Sequence, residues 1–167
     1  MAAWLGITVS PVSLLKNFNW FELPIIAAGF GLGLFCVLMA YLSEKRKIKS
    51  HFSFTYYHFA IHLTLLSALG ALFYFEQYYL LFLLLFLTAA WFFYSLAKAR
   101  YSFYFLLVTV LYSYVAFGYS FVHFTDGISG IDTMALVYLI LIYFILSSIA
   151  LVYFLYKMNI KMKKHGI

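Results

Sequence analysis

Charge is scarce in this chain. Only 10% of its 167 residues are Asp, Glu, Lys or Arg, while 66% are hydrophobic. A soluble domain typically carries about 25% charged residues. A water-soluble fold of this size has too much surface to cover with so few charges. Lipid removes the difficulty, because apolar side chains can then face outward. Acids are scarcer still, five in all, and none falls near the middle of an apolar stretch. General acid–base chemistry on paired carboxylates is therefore not indicated. One cysteine, Cys36, excludes an internal disulfide and a cysteine-rich metal site. It reads as a small buried apolar residue. Proline is limited to Pro11 and Pro24, so no inner apolar stretch is interrupted by Pro. A basic start followed by an apolar core is also missing, which argues against a secretory signal.

What is present is hydrophobic length. A helix needs ~20 apolar residues to cross a hydrocarbon core ~30 Å thick, and only helices or closed barrels satisfy their backbone there. The apolar runs lack the strict alternation of barrel strands. They predict an all-α integral membrane protein with five transmembrane helices. The spans run from about Pro24 to Leu42, Phe54 to Phe75, Tyr79 to Ala97, Tyr101 to Phe124 and Thr133 to Tyr156. Pro24 suits a first turn, where its missing N–H costs nothing. Short connections at Glu76-Gln77-Tyr78 and Lys98-Ala99-Arg100 make sequential helices antiparallel. The loop 125–132 has turn chemistry, with Asp132 or Thr133 as a cap for the fifth helix. Three regions result: an interfacial segment 1–23 containing Trp4 and Trp20, a five-helix domain 24–157, and a basic tail 158–167.

The cations set an orientation. The net charge is +6, but the basic residues sit in clusters between spans and leave no basic face for nucleic acid. Lys45, Arg46, Lys47, Lys49, Lys98, Arg100, Lys157, Lys161, Lys163 and Lys164 all fall on one side, with only Lys16 opposite. The positive-inside rule makes that side cytoplasmic. The N-terminus is then outside and the C-terminus cytoplasmic. Glu22, Glu76, Asp126 and Asp132 fall outside, and only Glu44 inside. An outside start is consistent with a short tail that crosses unaided, or with a chain cut from a longer polytopic protein.

Small residues mark packing faces. Gly29 and Gly33 form a GxxxG pair, and Ala27 and Gly31 repeat the spacing. Such residues let helix backbones approach closely, within the bundle or in an oligomer. On the second span, Thr55, His58, His62, Leu65 and Leu69 share one face, and Ala60, Thr64, Ser67, Ala71 and Tyr74 lie almost opposite. Intramembrane polar groups usually face protein or a water-filled cavity. With both faces engaged, this helix is central or at a subunit contact. On the fourth span, Thr109, Ser113, Ala116, Ser120 and His123 form a small-polar stripe.

His58 and His62 are the chemical candidates. Their i, i+4 spacing can place two ligands on one metal. Alternatively they bond to neighbouring Tyr, Ser or Thr. The spacing resembles one box of membrane di-iron desaturases, but the other boxes are missing. His123 lies too far along the membrane normal from both to share a haem with either. Aromatics reach 23%. Many tyrosines suit the interfacial belt, whereas Tyr112, Tyr114, Tyr138 and Tyr143 lie deeper and each needs a hydroxyl partner. They fill the core or line a polar cavity near His62.

Several segments together resemble a family. They are Ala3-Trp-Leu-Gly6, a Gly-rich span ending Glu44-Lys-Arg-Lys47, His51-Phe-Ser-Phe-Thr-Tyr56, Ala99-Arg-Tyr-Ser-Phe-Tyr-Phe-Leu-Leu107, Leu111-Tyr-Ser-Tyr114 and the Lys-rich tail. In this order they look like the C-terminal half of predicted bacterial membrane proteins of the domain-of-unknown-function family numbered 2157. The resemblance covers most of the chain. It implies a bacterial inner membrane and a longer parent chain, and it brings no activity or site residue with it.

The sequence reading is a non-enzymatic, multi-pass structural or assembly module of the inner membrane, in contact with lipids and with partner helices or its own copies. Its packing residues are Gly29, Gly31, Gly33, Ser67, Ala71, Ser113 and Ser120. No catalytic residue, metal site or cofactor is assigned. Two alternatives stay open. One is a transporter or small-molecule binding protein with a cavity lined by His58, His62 and Tyr112. The other is a lipid- or cofactor-dependent enzyme using Glu44 and His51 at the cytoplasmic face.

Overall fold

The computed structural model describes residues 22–47, 52–75, 78–126 and 133–165. Residues 1–21 of the interfacial segment, His51, the turn residues Glu76 and Gln77, and residues 127–132 with the candidate cap Asp132 lie outside the described residues. Five helices follow one another: α1 Glu22–Lys45, α2 Ser53–Tyr74, α3 Tyr79–Ala99, α4 Phe103–Asp126 and α5 Thr133–His165. Among the described residues there is no strand. All five helices are long and apolar enough to cross a membrane. A 22-residue helix is roughly 33 Å long, which matches a hydrocarbon core of ~30 Å.

The helix ends follow local chemistry. Pro24 sits in the first turn of α1, where its lack of an N–H forfeits no intrahelical bond. At the end of α3, the Ser102 amide donates to the Ala97 carbonyl at 3.0 Å and the Tyr101 amide to the Lys98 carbonyl at 3.2 Å. This is a Schellman cap, with Tyr101 at φ 50° in the left-handed position that usually holds glycine. α5 is longest, at 33 residues. It continues unbroken through Lys157 and Lys163, so the basic tail extends the last helix.

α2 is the centre. It packs against α1, α3 and α4, while α5 rests on α4. Half of the most apolar window of α2 is buried, against none for α5. Ala60, Ile61, Leu65, Ala68 and Leu72 of α2 meet Phe86 and Phe93 of α3 and Phe105 and Leu106 of α4 in the core. Trp91, Leu80 and Phe124 are more than two-thirds exposed. Lipid is the environment in which such side chains cost nothing.

The closest approach is between α1 and α2. A β-carbon on Gly33 would lie 2.9 Å from the Thr64 amide nitrogen and 3.2 Å from its α-carbon, and one on Gly29 would strike the Ser67 hydroxyl. These two glycines therefore meet another helix of the same chain. Gly31 points elsewhere, with nothing within 4 Å of its missing β-carbon. Ala71 is buried.

Candidate functional site

Four polar rings, His58 and His62 of α2 and Tyr104 and Tyr112 of α4, converge where these two helices run side by side. Each helix begins near the basic end of the bundle, so residues early in one meet residues early in the other. Four residues on α2 carry His58 to His62 through one helical turn. Eight residues on α4 carry Tyr104 to Tyr112 through two. The rings interleave into one row. Tyr104 Oη lies 2.7 Å from His58 Nδ1 and 3.0 Å from His62 Nε2. His62 Nδ1 lies 3.1 Å from Tyr112 Oη. The His58 and Tyr104 rings stack at 5.3 Å with 21° between planes, and the two histidine rings are 4.9 Å apart.

Proton bookkeeping closes along this row. With both imidazoles neutral, the Tyr112 hydroxyl donates to His62 Nδ1. His62 Nε2–H then donates to Tyr104, whose hydroxyl donates to His58 Nδ1. Running the chain backwards is equally consistent, since each ring nitrogen can take either role. Both nitrogens of His62 are committed to tyrosines, so a ligand reaching that ring must displace one of them. Among the described residues, no three His, Cys, Asp or Glu side chains come together as a metal site.

The structure brings together His58, His62 and Tyr112, and it adds Tyr104, which the sequence reading did not single out. Tyr104 opens the fourth helix beside the loop, where a tyrosine reads as an interfacial residue. Its two-turn spacing from Tyr112 is a usable signal only once α2 and α4 are known to be neighbours. The other deep tyrosines are elsewhere. Tyr114 Oη bonds Ser147 and Ser148 of α5 at 3.2 and 2.9 Å. Tyr143 stacks on Phe121 at 3.9 Å. Tyr138 is 65% exposed.

The small-polar stripe of α4 binds itself. Thr109 donates to the Phe105 carbonyl, Ser113 to Thr109 and Ser120 to Ala116, at 2.7 to 2.8 Å. Back-bonding of this kind satisfies a hydroxyl within its own helix. His123 stacks on Tyr79 of α3 at 4.5 Å. Ser67 faces Gly29.

A second polar group closes the basic end. The Arg100 guanidinium pairs with both oxygens of the Glu44 carboxylate and lies 4.2 Å from the centre of the Tyr57 ring. Ser53 also bonds Glu44. Glu44 ends α1, Ser53 and Tyr57 begin α2, and Arg100 caps α3, so one cluster ties three helices. Arg100 had been read only as a topology cation. Nothing local in the sequence selects it, among ten basic residues, as the partner of Glu44.

Two hollows among the described residues lie away from the basic end of the bundle. One of about 310 Å³ opens between α1, α2 and α3, lined by Ala27, Gly31, Ser67, Ala68 and Ala71 with Phe30, Phe82 and Leu85. Another of about 340 Å³ lies between α2, α4 and α5, around Phe73, Tyr114, Gly118 and Phe144. No family model matches this chain, and no curated protein or solved structure shows significant similarity to it.

Proposed function

We propose that this chain is a non-enzymatic structural or assembly module of the bacterial inner membrane, receiving a partner transmembrane helix in its outer half. The observation that carries this reading is the hollow that Ala27 and Gly31 of α1 line together with Ala68 and Ala71 of α2. Small residues on two converging helices leave room for a third backbone to approach closely. A lipid-facing glycine gains nothing from lipid and costs the helix about 1 kcal/mol relative to alanine. Gly31 gains a purpose once a partner covers it. The partner is another transmembrane helix, from a second copy or a different protein. The cation distribution supports an outside amino terminus and a cytoplasmic carboxyl terminus. The resemblance to the family numbered 2157 supports the inner membrane.

The test is Gly31→Leu, whose β-carbon enters open space and whose side chain extends into the hollow. It is expected to leave the isolated bundle folded while removing in-membrane cross-links from a cysteine placed at Ala27. Unchanged cross-linking and unchanged assembly size would sink the proposal.

The His58–Tyr104–His62–Tyr112 row favours a second reading, a transporter or binding protein centred on His62. A bound molecule must displace Tyr104 or Tyr112, whereas a proton can pass along the bonded atoms without displacing either. Liposomes loaded with a pH-sensitive dye separate the two readings. Faster decay of an imposed pH gradient, lost in His62→Leu, favours transport. Decay no faster than in empty liposomes leaves the row structural.

A further inference from the structure

We propose that the cleft between the capped end of α3 and the basic end of α5 is a binding site for the headgroup phosphate of an anionic phospholipid. The cleft has a volume of about 310 Å³ and is lined by Lys98, Tyr101, Met158, Lys161 and Met162. Four observations point to this occupant.

The first is charge. Two ammonium groups line one small cleft, and among the described residues the one ion pair is Arg100 with Glu44. Among the described residues, no carboxylate pairs with Lys98 or Lys161. The Lys98 ammonium stands 4.3 Å above the centre of the Tyr94 ring, which orders it without cancelling its charge.

The second is depth. The cleft lies where α3 ends and where α5 leaves the apolar span, at the level of lipid headgroups. Basic pockets between transmembrane helices at this level suit anionic headgroups. Lysine stems lie along apolar surface while their ammonium groups reach the interface.

The third is the floor. Met162 is only 6% exposed and is the one buried side chain of α5 among the described residues. Met158 lies one turn before it, on the same face. The two thioethers provide an apolar, adaptable wall, as the glycerol and first methylenes of a lipid require.

The fourth is Tyr101. A non-glycine residue at φ 50° occupies a conformation that costs a side chain energy, at a cap position where glycine would be free of strain. Its ring is 55% exposed and lines the cleft. Strain held at such a point is characteristic of sites where the side chain has a use.

The test is native mass spectrometry of the purified protein in a neutral detergent, titrated with phosphatidylglycerol, phosphatidylcholine or inorganic phosphate. The expected result is one retained phosphatidylglycerol, with weaker binding of phosphatidylcholine and no displacement by millimolar phosphate. Lys98→Gln and Lys161→Gln should each weaken retention about fivefold. The pair Lys45→Gln with Arg46→Gln, which removes twice the charge of either single variant elsewhere on the same end, should leave it unchanged. Tyr101→Gly should raise the melting temperature while weakening lipid retention, a combination that misfolding cannot produce. Equal losses in the Lys45/Arg46 variant would reduce the effect to diffuse attraction and overturn the site. Displacement by phosphate alone would overturn the lipid as its source. Unchanged retention in Tyr101→Gly would remove Tyr101 from it.

Discussion

Gly33 of α1 lies so close to Thr64 of α2 that a β-carbon added to it would come within 2.9 Å of the Thr64 amide nitrogen. The added β-carbon would also strike the Thr64 hydroxyl, and behind that hydroxyl the obstacle is main chain, which cannot rotate away. At Gly29, by contrast, the obstacle is the Ser67 hydroxyl, the end of a small side chain. Gly33→Ala should therefore destabilise the bundle by about 1 to 3 kcal/mol, the usual cost of overpacking. Gly29→Ala should also destabilise it, and Ser67→Ala in the same chain should restore most of the loss. No second substitution at Thr64 should rescue Gly33→Ala. Gly31→Ala, with open space around it, should be neutral or stabilising. Thermal unfolding in detergent ranks the four variants.

Thr64 itself is a second test of this contact. Its hydroxyl is buried and has no hydrogen-bond partner among the described residues. Burying an unpaired hydroxyl costs about 1 to 3 kcal/mol in protein mutational data. Thr64→Val keeps the branched shape and removes the unpaired group. It should hold or raise the melting temperature, and a clear fall would show that the hydroxyl is bonded in the membrane.

The four-ring row predicts an order of losses. Tyr104→Phe strips a partner from both His58 and His62, whereas Tyr112→Phe strips one from His62 alone. Interhelical hydrogen bonds in membranes are worth about 0.6 to 2 kcal/mol. Tyr104→Phe should therefore cost roughly twice as much as Tyr112→Phe on the same scale. The Tyr112→Phe effect should vanish in a His62→Leu background. Additive losses in that double variant would contradict the bond.

The cluster of Glu44, Arg100 and Tyr57 predicts a coupling. The paired side chains are 28% and 33% exposed, so water screens them and the pair is worth at most about 1 kcal/mol. Stacking on Tyr57 adds about 0.5 to 1 kcal/mol. A double-mutant cycle with Glu44→Gln and Arg100→Gln should return a coupling near the first figure, shrinking in 1 M salt. Tyr57→Leu should lose more than the pair does, because its ring is buried and also meets Phe105.

The proposed orientation predicts one-sided labelling. In a Cys36→Ser background, cysteines at Lys47 and Lys163 should react with an impermeant maleimide only after the cytoplasmic face is opened. Reaction in intact cells would reverse the topology and with it the assignment of the basic end.

Much of the fold was legible in order of residues alone. Apolar length, Pro24 in a first turn and the clusters of cations are local signals, and they mark out five helices and their basic ends. That α2 is central or at a subunit contact was also legible, because histidines mark one face and small residues another, and the structure places it at the centre. The pairing of faces was not. Gly29, Gly31 and Gly33 look alike in sequence, yet two meet α2 and one opens onto a hollow. Tyr104 was not singled out, and it joins the histidines. Arg100 was one basic residue among ten and is the partner of Glu44.

The physical reason is the solvent. In water, burial and exposure separate apolar from polar residues, so the pattern along a helix reports which face turns inward. In lipid that contrast is lost, since a leucine is equally at ease against an acyl chain or another helix. The sequence by itself determined that five helices are long and apolar enough to cross a membrane, with most of the cations clustered between them. Only the tertiary structure decided which helices touch, because that choice rests on the fit of a glycine against a threonine backbone and on hydrogen bonds between rings forty to fifty residues apart.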